Sequence, residues 1–383
     1  MIYVDVAASA KYGEHDNIVV ASMVDAMKEY WQNPSSLHAS NVRNKIDKCR
    51  KNIAKFVGAN ASEIYFTSGA SESNNWAIRG WVDEMLVNAS EMINVVTTPI
   101  EHKSILEAVS NNSNLGAYVG IVSIDEYGLI DYNSLNRMLW LREKEPILVS
   151  VNMANNEIGT IQEIKMISDL VHSYNGVLHV DATQAFGHIP INVEELGIDM
   201  MSVSGHKISP VLKGVGFLYK KECINIHPLI YGSQEGGLRG GTENTFGIIG
   251  LDKAIEYCDI REEKIDELCI KRDHFINILK YKFGCKLNGH EEYRLPNNIS
   301  VTFPQNITGE ALLHTLDMSN IKIGTGSACN SHSIESSHVL KAIGLSDEEA
   351  MRTIRISLPD DITYQEIDCI IEEIDKSIKI IEV

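Results

Sequence analysis

The chain lacks the marks of a membrane, secreted or nucleic-acid-binding protein. No apolar run among its 383 residues approaches the roughly 20 that a membrane span requires. The start, Met1-Ile2-Tyr3-Val4-Asp5, has neither the basic opening nor the apolar middle of a signal peptide. Basic residues are scarce, 34 against 52 acidic, and the resulting net charge of −18 opposes capture of a phosphate backbone or an anionic bilayer. The seven cysteines (49, 223, 258, 269, 285, 329 and 369) are odd in number and irregularly spaced, and they contain no Cys-x-x-Cys. Neither a disulfide framework nor a metal site is indicated. No internal repeat, low-complexity tract or long linker is visible. A cytoplasmic location is the expectation.

The composition, 44% hydrophobic and 22% charged, is that of an ordinary globular protein, and the length suffices for two domains. After a short extended N-terminus, Val42, Ile46, Cys49, Ile53 and Val57 recur at helical spacing, with Gly58 placed as a C-cap. Short apolar runs predict strands near 63–67, 94–98, 118–124, 147–152, 177–181, 199–203 and 215–219. Helices are predicted near 71–88, 102–110, 134–142, 164–174 and 244–257. This alternation predicts an α/β layer, a mostly parallel seven-stranded sheet flanked by helices. From about 258 the order changes to a charged helix (259–282), a strand (298–303), a helix (309–318) and a final strand–helix pair (353–358, 364–380). The expected division is a large domain over 13–257 and a smaller α+β domain over 1–12 and 258–383.

Polar residues gather where these strands end, and ligands of an open parallel sheet collect beyond the strands' carboxyl ends. Ser68-Gly69-Ala70-Ser71-Glu72 joins a strand to a helix and offers backbone N–H groups to a phosphate; alone it reads equally as a capping box. His102 is placed to stack on a ring and relay protons, or is a plain surface histidine. Asn155-Asn156-Glu157 closes the next strand. Asp181 ends another, with Gln184 one turn on, and is either a helix cap or an anion for a pyridinium nitrogen. Ser204, His206 and Lys207 follow Met200–Val203, and a lysine near a buried strand end suits a Schiff base. Gly236-Gly237-Leu238-Arg239-Gly240-Gly241-Thr242 is dense enough in glycine to pass close to a ligand or partner subunit, or forms a flexible hairpin. Cys329, among Gly324, Gly326, Ser327 and Ala328, sits in a small-residue loop suited to a reactive thiol, and the other six cysteines read as packing. Arg355 is an ordinary strand arginine or a fork for a substrate carboxylate. Jointly, an amine, an anion and a loop thiol suit pyridoxal-phosphate chemistry.

With these motifs the chain resembles the cysteine desulfurases of the class V aminotransferase family, which have fold type I of the pyridoxal-phosphate enzymes. The likeness runs nearly end to end. It rests on Asn33-Pro34-Ser35-Ser36-Leu37-His38, Phe66-Thr67-Ser68-Gly69-Ala70-Ser71-Glu72-Ser73-Asn74-Asn75, Glu101-His102-Lys103 and Asn155-Asn156-Glu157-Ile158-Gly159. It continues in His179-Val180-Asp181-Ala182-Thr183-Gln184, Ser204-Gly205-His206-Lys207, Arg239-Gly240-Gly241-Thr242, Gly326-Ser327-Ala328-Cys329 and Ser337-His338-Val339-Leu340.

The resemblance implies that Lys207 forms the Schiff base with pyridoxal 5'-phosphate and shuttles the substrate's α-proton. Asp181 would pair with the ring nitrogen, His102 stack on the ring, and Gln184 and Asn156 meet the ring hydroxyl. Ala70, Ser71, Ser204 and His206 would hold the phosphate, with Thr242 reaching in from the other subunit of a homodimer. Arg355, helped by Asn156, would bind the carboxylate of L-cysteine. Cys329, in a long and mobile catalytic loop, would take the sulfur as a persulfide, leave alanine, and pass the sulfur to an iron–sulfur scaffold or a tRNA-thiolation enzyme. Three segments depart from the family pattern: Asp5-Val6-Ala7-Ala8-Ser9-Ala10, the one-residue-longer Ser209-Pro210-Val211-Leu212-Lys213-Gly214, and Pro359-Asp360. Two other readings compete: a selenocysteine lyase or related pyridoxal-phosphate lyase, and a non-catalytic homologue serving as an interaction partner.

Overall fold

Seven apolar runs become one sheet. The computed structural model describes every residue except 89–91, 259, 305, 306, 326, 331, 332, 382 and 383, and only the backbone of 88, 327–330 and 333–335. In it the strands Ile64–Thr67, Gly216–Lys220, Met200–Ser204, Val177–Asp181, Ile147–Asn152, Asn94–Thr97 and Tyr118–Ile121 lie side by side in that order. Gly216–Lys220 runs antiparallel to both neighbours and the remaining pairs are parallel.

The continuous apolar character of the inner strands follows from burial on both faces. Successive side chains point to opposite faces, so neighbouring residues serve different cores. Val149, Met201 and Phe217 pack with Val42, Ile46 and Ile53 of the helix Ser40–Val57 on one side. Leu148, Met200 and Leu218 pack with Trp76, Trp81 and Ile105 on the other. The parallel strands therefore bring the residues that follow them to one edge of the sheet.

The C-terminal part builds a second sheet, in the order Gly324–Thr325, Thr353–Ser357, Asn298–Thr302, Lys286–Leu287, with every pairing antiparallel. The helices Glu262–Phe283, Gly309–Met318 and Tyr364–Ile381 cover it through Phe275, Leu312, Leu316, Ile370 and Ile374. Val4 belongs to this core, and Ile2–Tyr3 pairs in parallel with Ile321–Lys322. The first residues thus return to the C-terminal unit.

Three features differ from expectation. A helix, Glu14–Glu29, occupies a stretch that shows no apolar stripe, because only Asp16, Val19 and Ala26 are buried while Ile18, Val24 and Met27 face outward. The backbone around Cys329 is not a loop: Ser327–Asn330 pairs antiparallel with Ser333–Ser336, with Cys329 opposite Ile334. That segment has no period-two apolar alternation from which a strand could be read. Packing describes Cys49 and Cys285, which are buried, but not Cys223 and Cys369, which are exposed in a turn and on a helix flank. Among the described residues no helix is long and apolar enough to cross a membrane.

Candidate active site

At the carboxyl edge of the large sheet opens a cavity of about 670 Å³. Ala70, Ser71, His102, Asn156, Asp181, Gln184, Ser204, His206, Lys207 and Arg355 all line it. Thr242 is exposed and lies outside that wall, and the side chain of Cys329 falls outside the described residues.

One end is a turn that only glycine can make. Gly69 has φ +141°, and a Cβ on Gly216 would meet the Val203 carbonyl and stand 2.7 Å from the Gly69 Cα. That close approach sets Ala70 and Ser71, at the N-terminus of the helix Ala70–Asn88, beside Ser204. The Ser68 N–H donates to Glu72 Oε2 at 2.8 Å, and Arg239 clamps the same carboxylate from Nε (2.8 Å) and Nη2 (3.1 Å). Burial alone would raise the Glu72 pKa, but Arg239 and Ser68 outweigh it and hold the group below its ordinary value. Arg239 thereby ties the glycine-rich turn to this end of the site, which makes that turn more than a flexible hairpin. Ser204 Oγ lies 2.8 Å from His206 Nδ1. Burial, followed by the charges of Lys207 and Lys213, pushes His206 down to about 4, so its imidazole is neutral at pH 7.

At the other end Asp181 Oδ1 accepts the Thr183 N–H at 3.0 Å, and Oδ2 accepts Asn74 Nδ2 at 2.7 Å. Both oxygens face donors, as suits an anion. Two residues earlier, His179 is enclosed between Ser150 (2.8 Å) and Ser202 (2.9 Å) and pushed down to about 4 by burial. His102 caps the helix Lys103–Ser113, its Nδ1 accepting the Ser104 N–H at 3.1 Å. Its ring lines the open cavity, where the residue is solvent-exposed although many atoms surround it. Burial lowers its pKa although Asp181 pulls the other way.

Lys207 Nζ donates to the Ala7 and Ala8 carbonyls at 2.6 and 2.9 Å. Burial, then the nearby Arg355, pushes its pKa from 10.5 down to about 8. Arg355 Nη2 pairs with Asp5 Oδ1 at 2.6 Å and Nη1 donates to the Asn156 carbonyl at 3.3 Å. Gln184 Nε2 donates to the Ala7 carbonyl at 3.0 Å, so in this structure its amide is held by the N-terminal segment.

Asn74, Ser104 and Asp5 take part in this arrangement without having been singled out. Asn74 and Asp5 stand in the quoted motifs, but nothing in the spacing shows which residue of Asn74-Asn75 turns inward. Among the described residues, Arg355 Nε, Thr183 Oγ1 and Asn152 Oδ1 are buried without a hydrogen-bond partner, and all three residues line the cavity. Buried polar atoms are normally satisfied, so three unpaired ones in residues around the cavity mark a region whose polar capacity the chain alone does not fill. The full set suits pyridoxal phosphate: a lysine for the aldehyde, a doubly hydrogen-bonded carboxylate for the ring nitrogen, a helix N-terminus for the phosphate.

Fold and site together define a pyridoxal-phosphate enzyme of fold type I. The family model for aminotransferase class V matches residues 2–370, and the chain belongs to that family. It is 41% identical to the cysteine desulfurase IscS of Dictyoglomus turgidum over 362 residues, 93% of this chain and 89% of that protein. To the cysteine desulfurase IscS of Methanosarcina thermophila it is 39% identical over 375 residues, 97% of this chain and 90% of that one. A NifS-like protein of known structure superposes with a TM-score of 0.89 at 33% identity over 99% of both chains. SspA in complex with cysteine superposes with a TM-score of 0.81 at 35% identity, over 94% of this chain and 99% of that one. The protein is a pyridoxal-phosphate-dependent cysteine desulfurase; its substrate is L-cysteine and its sulfur goes to an acceptor.

Proposed function

We propose the following division of labour, supported chiefly by the convergence of Lys207, Asp181, His102, Ser204, His206 and Arg355 on one cavity. Ala70, Ser71, Ser204 and His206 hold the cofactor's phosphate, with Thr242 contributed by the other subunit of a homodimer. Asp181 faces the ring nitrogen, His102 stacks on the ring, and Asn156 and Gln184 serve the ring hydroxyl, Gln184 after releasing the Ala7 carbonyl. When bound, pyridoxal phosphate withdraws electrons from the substrate's α-carbon. Arg355 fixes the substrate carboxylate, steadied by Asp5 and helped by Asn156. Lys207 anchors the cofactor and moves the α-proton; its lowered pKa makes the neutral amine accessible near pH 8.

The Cys329 thiolate takes the substrate's sulfur. A new S–S bond forms, the Cβ–S bond breaks, and its electrons stay with the carbon, which leaves as alanine after protonation. Of the other cysteines, Cys49, Cys258 and Cys285 have thiols pushed up to about 12 by burial, and burial raises Cys269 as well. None of the described cysteines lines the cavity. We assign cofactor binding to residues 13–257 and the Cys329 hairpin to the smaller unit, 1–12 with 258–383; each has a main core, and Ile100 and Ile158 pack with Val339, Leu340 and Ile343 across the boundary. The persulfide is delivered in the cytoplasm to an acceptor protein, an iron–sulfur scaffold or a tRNA-thiolation enzyme, rather than to nucleic acid or a membrane. Incubation with L-cysteine tests the reading: Cys329→Ala is expected to retain the cofactor yet give no sulfide, and wild-type protein to show one added sulfur on the Cys329 peptide. Sulfur on Cys223 or Cys369, with Cys329 dispensable, overturns it.

A further inference from the structure

Asn74 lies on the helix Ala70–Asn88 and is completely buried. Its Nδ2 makes two hydrogen bonds, to Asp181 Oδ2 at 2.7 Å and to Ser104 Oγ at 2.9 Å. An amide nitrogen carries two hydrogens, and both are used. The orientation of the amide is forced, because its oxygen in that place would face a carboxylate, which only accepts. Asn74 Oδ1 is left buried with no partner among the described residues. An unpaired buried acceptor costs free energy that an apolar side chain would not. The two donations are what the position provides in return.

The consequence runs along the chain of hydrogen bonds. Ser104 Oγ accepts a hydrogen from Asn74, which occupies a lone pair and turns its own hydrogen toward His102 Nδ1, 2.8 Å away. The Ser104 backbone N–H donates to the same Nδ1 at 3.1 Å. A ring nitrogen that accepts twice carries no proton, so neutral His102 holds its hydrogen on Nε2. The lowered pKa of His102, set by burial against the pull of Asp181, is consistent with the neutral ring. Lys207, then His338 and Lys103, act on it, each disfavouring imidazolium, while buried His179 and Glu101 flank Asp181.

We propose that Asn74 is a positioning residue that, through one amide nitrogen, holds the Asp181 anion and, by orienting the Ser104 hydroxyl, reinforces the Nε2–H tautomer of His102 that the Ser104 N–H sets. The inference rests on the assignment of Asp181 to the ring nitrogen and His102 to the ring face. It couples the group beneath the cofactor's nitrogen to the group over its ring, so that the two cannot be perturbed independently at this point.

The test uses the holoenzyme and the variants Asn74→Ala, Asn74→Asp, Ser104→Ala and, as a control, Asp181→Ala. Three quantities are read: cofactor dissociation, the pH midpoint of the bound cofactor's visible absorption change, and the 15N shifts of His102 assigned with His102→Gln. Asn74→Ala is expected to loosen the cofactor about tenfold, the loss of one hydrogen bond to a charged group, to move the midpoint, and to shift the His102 nitrogens as the Ser104 hydroxyl loses its fixed orientation. Asn74→Asp keeps the shape but cannot donate twice, and should shift the His102 nitrogens too if the alanine variant fails to fold. Ser104→Ala should change the His102 nitrogens and leave cofactor affinity intact. The inference is overturned if both Asn74 variants leave the midpoint, the affinity and the His102 nitrogens as in wild type while Asp181→Ala loses the cofactor. Should Asp181→Ala also retain the cofactor unchanged, the assignment beneath it fails and the inference with it.

Discussion

A lysine that must bond an aldehyde has to be an amine first, and the environment of Lys207 is arranged for that. Enclosure and the neighbouring Arg355 disfavour its ammonium form and bring the pKa from 10.5 down to about 8, against the opposing pull of Asp5 and Asp181. Below pH 8 the neutral fraction rises about tenfold per pH unit, and above it the fraction is constant. Recombination of the apoprotein with pyridoxal phosphate, followed by the growth of its visible band, should therefore accelerate with slope near one up to about pH 8 and then level. A continued rise to pH 10 would mean an unshifted lysine. Lys207→Ala should abolish both the band's resistance to dialysis and sulfide formation. Wild-type turnover in that variant would remove Lys207 from the chemistry.

At the scale of elements, the site depends on a contact between two backbones. The turn after Ile64–Thr67 touches the start of Gly216–Lys220 so closely that a methyl on Gly216 would meet the Val203 carbonyl and the Gly69 Cα. Neither neighbour is a flexible side chain, so strand or turn must move. Gly216→Ala should cost about 1–3 kcal/mol in thermal unfolding and weaken cofactor binding by displacing Ala70 and Ser71. An unchanged melting temperature with unchanged cofactor affinity would refute the close-contact account. The same elements show what the sequence discloses. The inner strands of the large sheet are legible because two-sided burial writes each as a largely apolar run, as in Ile147–Val151, whereas the edge strand Tyr118–Ile121 is half exposed and shows only its β-branched and aromatic residues. Each strand end is legible because Asp181, Ser204 and His102 follow such runs with polar groups. Glu14–Glu29 is not, since a helix that buries three residues leaves no stripe. The Cys329 hairpin is hidden because its small residues show no alternation. The Asn74–Asp181 and Asp5–Arg355 pairs join positions 107 and 350 residues apart, and no local pattern encodes them.

For the whole molecule, the question is whether one chain holds a complete site. Thr242 supplies the answer to be tested. It follows the turn that Arg239 secures to Glu72, yet it is exposed and absent from the wall of its own cavity. Large apolar side chains stand out near the same region, with Tyr231 79% and Leu37 91% exposed. Under the proposed homodimer such groups would be covered by the second chain. On the proposed arrangement Thr242 serves the partner's phosphate site, and a dimer of identical chains exchanges this residue both ways. Mixing variants separates the possibilities. In a heterodimer of Lys207→Ala with Thr242→Ala, one site has neither residue, while the other combines an intact Lys207 with an intact Thr242 from the partner. If Thr242→Ala homodimers lose about tenfold in cofactor affinity, as for one charge-assisted hydrogen bond, the mixed dimer should regain wild-type affinity at half the sites. If Thr242 acts within its own chain, mixing restores nothing, because the only site with Lys207 still lacks Thr242. A monomer in sedimentation at assay concentration, fully active, would exclude the shared site altogether.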